Sequence, residues 1–351
     1  MSWNIDIAHH QGGLDLAWTL RTEARFVGVH GASGLGKTTL LETLLGWRGR
    51  FGALAGAVGY LPQDVLLMPH WTVAEHFERL VPGPGGAPRE VLFEALGIDA
   101  LMARPARLLS GGEARRVGLA RALLVAGGEG LLVLDEPFEA LDRPRRVRVL
   151  GLLHELAART RLRCILVSHR ADELALLAEV VQRLEADGTS RRMGAPAPPN
   201  EALAREGVHE NRIAATVCAV DGDVAICIVG DQGGAGGVEW VVPADGLESG
   251  TRAILGLRGD DVLLGLDDPG RVSARNKLEG RVTALRPAGA YVELDVALEG
   301  TGGAVSLSTH LTRGAVAELE LKAGAPVRLF FKTRAVRLLA LPVELDPTGS
   351  R

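Results

Sequence analysis

Residues 31–38 read GASGLGKT, directly after the short apolar run RFVGVH and directly before the helix-like run KTTLLETLLGW, which shares its Lys37 and Thr38. A G-x-x-x-x-G-K-[ST] stretch between a strand and a helix restricts the fold sharply. Its glycines let successive backbone N–H groups curl around phosphate oxygens, and the following helix aims the positive end of its dipole at the same point. Gly31, Ala32, Ser33, Gly34, Leu35, Gly36, Lys37, Thr38 and Thr39 are therefore candidate nucleotide-binding residues. Lys37 is expected to reach the β- and γ-phosphates, and Thr38 to offer its hydroxyl to Mg²⁺. The apolar runs GLLVL (130–134) and CILVS (164–168) each end in polar residues. Short buried strands between helices predict a parallel sheet in an α/β P-loop NTPase unit.

Residues 131–137 read LLVLDEP, an apolar strand closing on two carboxylates. Asp135 is placed to hold Mg²⁺, and Glu136 to face the γ-phosphate and polarise the attacking water. Residues 109–113 read LSGGE before the helix-like ARRVGLARALL, so glycine-flanked N–H groups and a serine hydroxyl again stand at a helix start. Residues 72–124 read mostly helical, with a PGPGGAP loop at 82–88.

The order GASGLGKT, YLPQD, LSGGE, LLVLDEP, EALD, VSH resembles the nucleotide-binding domain of ABC ATPases over residues 1–204, with its helical subdomain at about 72–124. The resemblance implies an ATPase with ATP as substrate and Mg²⁺ as cofactor. It makes Gln63 a lid-loop residue that touches Mg²⁺ and couples to a membrane partner. It makes Ser110, Gly111 and Gly112 a signature that closes over ATP held by a second copy, with Asp142 at the dimer seam. It makes His169 a switch residue at the γ-phosphate, so that Glu136, His169 and Lys37 carry catalysis. The family's adenine-stacking aromatic has no counterpart at residues 8–16; Trp3 lies upstream and Trp18 downstream.

The texture changes near Arg191, where RRMGAPAPPN predicts a linker over 191–207. Residues 208–345 are strand-rich with Gly-containing turns, which predicts a small all-β barrel of OB-like type. Residues 250–266 align without gaps to 324–340, which predicts two similar half-barrels. Residues 273–276 read SARN before KLEGRV and, with the later FFKTRAV, resemble the Mop/TOBE-type domain of molybdate importer ATPases over 272–341. Ser273 offers a hydroxyl, Arg275 a fork of donors and Lys332 a charge, which suits an oxyanion; Asn276 completes the motif. SARN equally suits a polar turn between strands, and the stretch at 311–315, LTRGA, lacks the serine the family carries there.

Together these resemblances imply the ATPase subunit of a bacterial importer for molybdate or a related oxyanion, with molybdate or tungstate as a regulatory ligand. They imply a homodimer, two membrane permease subunits and, indirectly, a periplasmic binding protein, at the cytoplasmic face of the inner membrane. Another solute (sulfate, sugar, iron) and a soluble non-transport ABC ATPase are the alternative readings. Composition bears on partners. Net charge is −4 and 35 of the 39 basic residues are arginine, a balance that argues against a general nucleic-acid binder. MSWNIDIAHH does not read as a signal peptide, and no run is long and apolar enough for a membrane span. Three unclustered cysteines predict neither disulfide nor zinc site.

Overall fold

The computed structural model describes residues 3–11, 14–46, 57–188, 190–203, 210–230 and 237–343. The chain divides into two compact units, Met1–Glu206 with Val343–Arg351, and Gly207–Pro342.

The first unit contains β1 (Trp3–Gln11), β2 (Leu14–Thr22), β3 (Phe26–His30), α1 (Lys37–Leu44), β4 (Val58–Leu61), α2 (Val73–Glu78), α3 (Arg89–Leu96), α4 (Gly111–Ala126), β5 (Leu131–Asp135), α5 (Arg143–Arg159), β6 (Arg163–Val167), α6 (Ala171–Leu177), β7 (Val180–Asp187), β8 (Ser190–Met193) and α7 (Pro199–Ala202). Its eight strands form one sheet in the order β1-β2-β8-β7-β3-β6-β5-β4. From β7 to β4 every pairing is parallel. All five residues of β3 and of β5 are buried, so FVGVH and LLVLD are nearly unbroken apolar runs, as strands covered on both faces must be. The polar ends of these strands, with β6, carry the site. β1 and β2 pair antiparallel and extend the sheet at its other edge. Their inward side chains, Ile5, Ile7, Leu16 and Trp18 among them, join Leu40, Leu41 and Leu44 of α1 in one core.

The linker expectation began too early. β8 pairs with β2 and β7, Ala197 bridges to Val181, and Leu203 is fully buried. The stretch 191–203 therefore belongs to the first unit, with β8 inside the sheet between β2 and β7, because its backbone is hydrogen-bonded there; 204–207 lie outside the described residues. Buried Gln182 of β7 ties β2 and the residue after β8 together. Its Oε1 accepts the Trp18 indole N–H at 2.7 Å, and its Nε2 donates to the carbonyls of Thr19 at 3.0 Å and Gly194 at 2.8 Å. Every polar atom of that amide has a partner, as burial requires.

The second unit is all-β apart from one short helix among the described residues. It contains β9 (Glu210–Asp221), β10 (Val224–Val229), β11 (Val238–Pro243), β12 (Arg252–Arg258), β13 (Leu263–Gly265), β14 (Asn276–Ala288), β15 (Tyr291–Leu298), β16 (Ser306–Thr312), α8 (Arg313–Glu318), β17 (Pro326–Phe331) and β18 (Val336–Ala340). Two five-stranded antiparallel sheets, β11-β10-β9-β12-β18 and β13-β17-β14-β15-β16, share one core. The repeat seen in the sequence is a real duplication. Gly250 and Gly324 both sit at positive φ, 85° and 87°, and each is followed by a strand, a 3₁₀ turn and a second strand. The second strand of each copy is exchanged: β13 pairs with β17, and β18 pairs with β12. Two asparagines at matching register complete the exchange. Asn211 stands opposite Leu257 and Asn276 opposite Phe331. Asn211 binds the backbone of Ser308 on β16, and Asn276 binds the backbone of Val241 on β11, so each half holds the outer strand of the other.

Gly59 of β4 marks the closest approach of helix to sheet: a Cβ there would lie 1.9 Å from the Ala122 carbonyl oxygen of α4. Gly59→Ala is expected to cost at least about 2 kcal/mol, the scale of core overpacking. Gly111→Ala, where a Cβ meets nothing within 4 Å, should leave stability within about 0.5 kcal/mol. Thermal unfolding midpoints of the two variants check the contrast.

Candidate nucleotide site

The loop between β3 and α1 turns on Gly34 and Gly36, at φ 79° and 90°, conformations that cost a side chain about 1–2 kcal/mol. Ala32, Ser33 and Gly34 are exposed, leaving their N–H groups open to an anion, while Gly31 packs against the Leu184 carbonyl of β7. Buried Lys37 folds back over the loop, its Nζ donating to the carbonyls of Gly31 at 2.8 Å and Ala32 at 2.9 Å. An ammonium has three N–H donors, so one remains for a phosphate oxygen. Thr39 continues α1, its carbonyl accepting the Thr43 hydroxyl.

Thr38 Oγ1 donates to Asp135 Oδ2 at 2.6 Å, joining the start of α1 to the end of β5. Burial raises the Asp135 carboxyl above the usual carboxylate range; the Thr38 bond and the charges of Lys37 and Arg115 pull it down. A hydroxyl and a desolvated carboxylate this close are a donor set for a hard divalent cation. Gln63, exposed after β4, lines the same groove as Thr38.

Glu136 has φ 50°, a left-handed conformation unusual for a non-glycine residue. Its N–H donates to the Val167 carbonyl at 3.0 Å. Its carboxylate accepts the His169 N–H at 3.0 and 3.2 Å and meets the ring Nδ1 at 2.9 Å. The ends of β5 and β6 thus present Glu136 and His169 as a bonded pair. Beneath His169, the fully buried Ser168 donates its hydroxyl to Glu173 at 2.7 Å and accepts the Arg170 N–H at 3.0 Å. Arg170 Nε lies 3.1 Å from the other Glu173 oxygen. These contacts brace the backbone on both sides of His169.

Ser110, Gly111 and Asp142 are exposed, and their bonds are local. Ser110 caps α4, accepting the Glu113 N–H while Glu113 accepts the Ser110 N–H at 2.7 Å. The last residue of LSGGE is thereby accounted for as a capping box. Asp142 caps α5 by accepting the Arg145 N–H, without a reciprocal bond, and its carboxylate pairs with the Arg145 side chain. Gly112 lies beside Ala140, which sets the start of α4 against the loop before α5. Trp3 and Trp18 are both buried with bonded indole N–H groups, so neither offers a face to a base.

Sequence reasoning missed Arg115. This buried side chain of α4 donates to the carbonyls of Gln63, Asp135 and Glu136. The available signal was an arginine on the same helical face as Gly118, Leu119 and Ala122, where an apolar residue is the rule.

In the second unit, a cavity of about 830 Å³ gathers Ser273 and Lys332 with Arg258, Arg334 and Arg337 over the Phe330 ring. Arg275 is exposed beside it and does not line it. Asn276 is a correction: it is buried, and both polar atoms of its amide bind Val241 at 2.7 and 3.0 Å, so it serves the fold instead of an anion.

Burial pushes the Glu173 carboxyl from its ordinary 4.5 up to about 7, against the opposing pull of Ser168 and Arg170. Between these values the folded chain binds the extra proton, so this group's contribution to stability falls as pH rises through the window. Glu173→Gln mimics the neutral form. Its melting temperature should gain on that of the unsubstituted protein as pH rises from about 5 to about 8; a relative loss would contradict the assignment.

The ABC transporter family matches residues 15–139 and the TOBE domain residues 272–338. The molybdenum import ATP-binding protein ModC of Granulibacter bethesdensis is 32% identical over 88% of this chain and 91% of its own. That of Rhodobacter capsulatus is 32% identical over 87% and 90%. Among solved structures, the archaeal ribosome recycling factor aABCE1, in complex with the ribosomal stalk protein aP1, superposes with a TM-score of 0.51 at 24% identity, over 64% of this chain and 43% of that one, a likeness of fold. Motif order, site geometry and near full-length identity agree: the chain belongs to the molybdenum import ATP-binding protein family of ABC transporters.

Proposed function

We propose that the chain is the ATP-hydrolysing subunit of a bacterial ABC importer and energises uptake of molybdate or a related oxyanion. The observation that carries the ATPase reading is the convergence of Lys37, Thr38, Asp135, Glu136 and His169 at the ends of β3, β5 and β6, the side of a parallel sheet where ligands bind. The solute comes from the relatives, which are named for molybdenum import.

The chain's residues divide the work. The N–H groups of the 31–38 loop and the Lys37 ammonium bind the phosphates as fixed positive charge. Thr38, Asp135 and Gln63 would hold Mg²⁺, which when bound neutralises charge between the β- and γ-phosphates. Glu136 accepts a proton from the attacking water, and His169 keeps that carboxylate in place while facing the γ-phosphate. Ser110, Gly111 and Asp142, exposed, and the half-buried Gly112 serve a second copy of the chain, so that each ATP lies between two subunits. A groove of about 630 Å³ along Gln63, Leu66, Leu80 and Arg121, with Leu66 85% exposed, suits a permease segment. In this reading a homodimer sits on two permease subunits at the cytoplasmic face of the cell membrane, supplied by a periplasmic binding protein. Ser273 and Lys332, with Arg275 alongside, serve as a regulatory oxyanion site for molybdate or tungstate.

Glu136→Gln keeps the phosphate cradle and removes the proton acceptor. Turnover should fall about 10²–10⁴-fold, and Mg-ATP should shift the variant from monomer to dimer in size-exclusion chromatography. Hydrolysis at the unsubstituted rate would defeat the ATPase assignment. For the solute, cells carrying the chain with its permease should accumulate radiolabelled molybdate, and excess sulfate should not compete; uptake of sulfate or a sugar instead would select the alternative.

The oxyanion site is tested by calorimetry on the full chain, with the nucleotide site filled by a non-hydrolysable ATP analogue. Lys332→Ala should weaken molybdate binding by up to about 1 kcal/mol, the scale of an exposed charge pair, or roughly five-fold. No heat with molybdate, tungstate or sulfate would leave the second unit without a ligand.

A further inference from the structure

Arg115 lies on α4, outside the phosphate cradle, yet three backbone carbonyls from two segments of the site meet on it. One guanidinium nitrogen donates to the Gln63 carbonyl; the other donates to the carbonyls of Asp135 at 2.5 Å and Glu136 at 2.7 Å. The side chain is 8% exposed, so these bonds have no competition from bulk water. A guanidinium is a rigid planar fork and fixes the spacing of the groups it binds; an ammonium on a flexible stem does not.

The bound carbonyls are not incidental ones. Glu136 is the residue held at φ 50°, and a left-handed residue of this kind persists only where its surroundings over-determine it. Arg115 grips the carbonyl on each side of that peptide, which fixes the direction in which the Glu136 side chain leaves the backbone, toward His169. The same guanidinium holds the backbone of Gln63, on the segment that lines the Thr38 groove. A shift of the Gln63 segment therefore pulls on the group that keeps Glu136 in register.

We propose that Arg115 is a positioning residue for hydrolysis, coupling the place of the Gln63 segment to the orientation of the Glu136 carboxylate. The proposal rests on the ATPase reading above. It requires Arg115 to act on the rate of the chemical step and not on nucleotide binding, because it touches no residue of the 31–39 loop.

The test uses the full chain with Arg115→Ala and Arg115→Lys. Nucleotide-loaded sites are counted with a fluorescent ATP analogue, and single-turnover hydrolysis is measured per loaded site, so that misfolded chains do not enter the rate. ATP affinity should stay within about threefold, while the rate per loaded site falls about a hundredfold, the scale of a misplacement near 1 Å at a reacting centre. Millimolar guanidinium should restore part of the Arg115→Ala rate by filling the vacated site, and Arg115→Lys should remain slow. A rate per loaded site within twofold of the unsubstituted protein, or a loss of ATP affinity equal to the loss of rate, overturns the proposal. If Arg115→Ala does not fold, Arg115→Lys decides the question by the same two quantities. Failure of the unsubstituted protein itself to hydrolyse ATP would instead remove the ATPase reading.

Discussion

Asp135 ends a strand whose five residues are all buried, and its negative charge must be met at that point. The rest of the first unit's chemistry is arranged by this need. Thr38 meets the carboxylate directly, and Lys37 and Arg115 add positive charge from α1 and α4. Because those groups come from two different helices, the charge fixes where α1 and α4 stand relative to β5. The next residue inherits the consequence: Glu136 leaves a strand end already held by Arg115 and turns back to the end of β6 through Val167 and His169.

On the proposed reading this arrangement makes half a site. The phosphate loop, the cation ligands and the Glu136–His169 pair lie within one chain, while Ser110 and Asp142 cap their own helices and face outward. Capping and a second role are compatible, since a capping serine uses one lone pair and keeps its O–H free to donate. The Ser110 cap also holds the start of α4 in helical order, where the N–H groups of Gly111 and Gly112 favour an anion.

The second unit solves a different problem. Two short half-barrels have too little core to stand alone, and strand exchange merges them around Trp240 and Phe331, whose rings meet edge-on at 4.8 Å. Asn211 and Asn276 occupy matching positions in the two halves, and each ties the outer strand of the other half. That duplication explains why a motif asparagine that reads as a ligand is a structural clamp. It also explains why Arg258 and Lys332, aligned in the repeat, line one cavity.

Much was legible from residue order. GASGLGKT, LLVLDEP and VSH each place chemistry at a strand end, because local geometry dictates it: glycines for positive φ, an apolar run for a buried strand, a polar residue where the strand emerges. The repeat at 250–266 and 324–340 was equally visible, since it is a property of sequence. Other features depend on which segments come together in space. Proline-rich 191–203 became part of the first unit's sheet because β2 and β7 supply hydrogen-bond partners for β8. Trp3 and Trp18, the aromatics on either side of residues 8–16, were taken into the core, their indole N–H groups bonded to Ala24 and Gln182. Arg115 could not be read as part of the site at all. Its three acceptors are backbone carbonyls from residues 63, 135 and 136, and a carbonyl carries no sequence signature. Residue types and their spacing determined the cradle and its charges; tertiary structure alone decided which buried side chains hold that cradle in register, because such contacts join segments far apart along the chain.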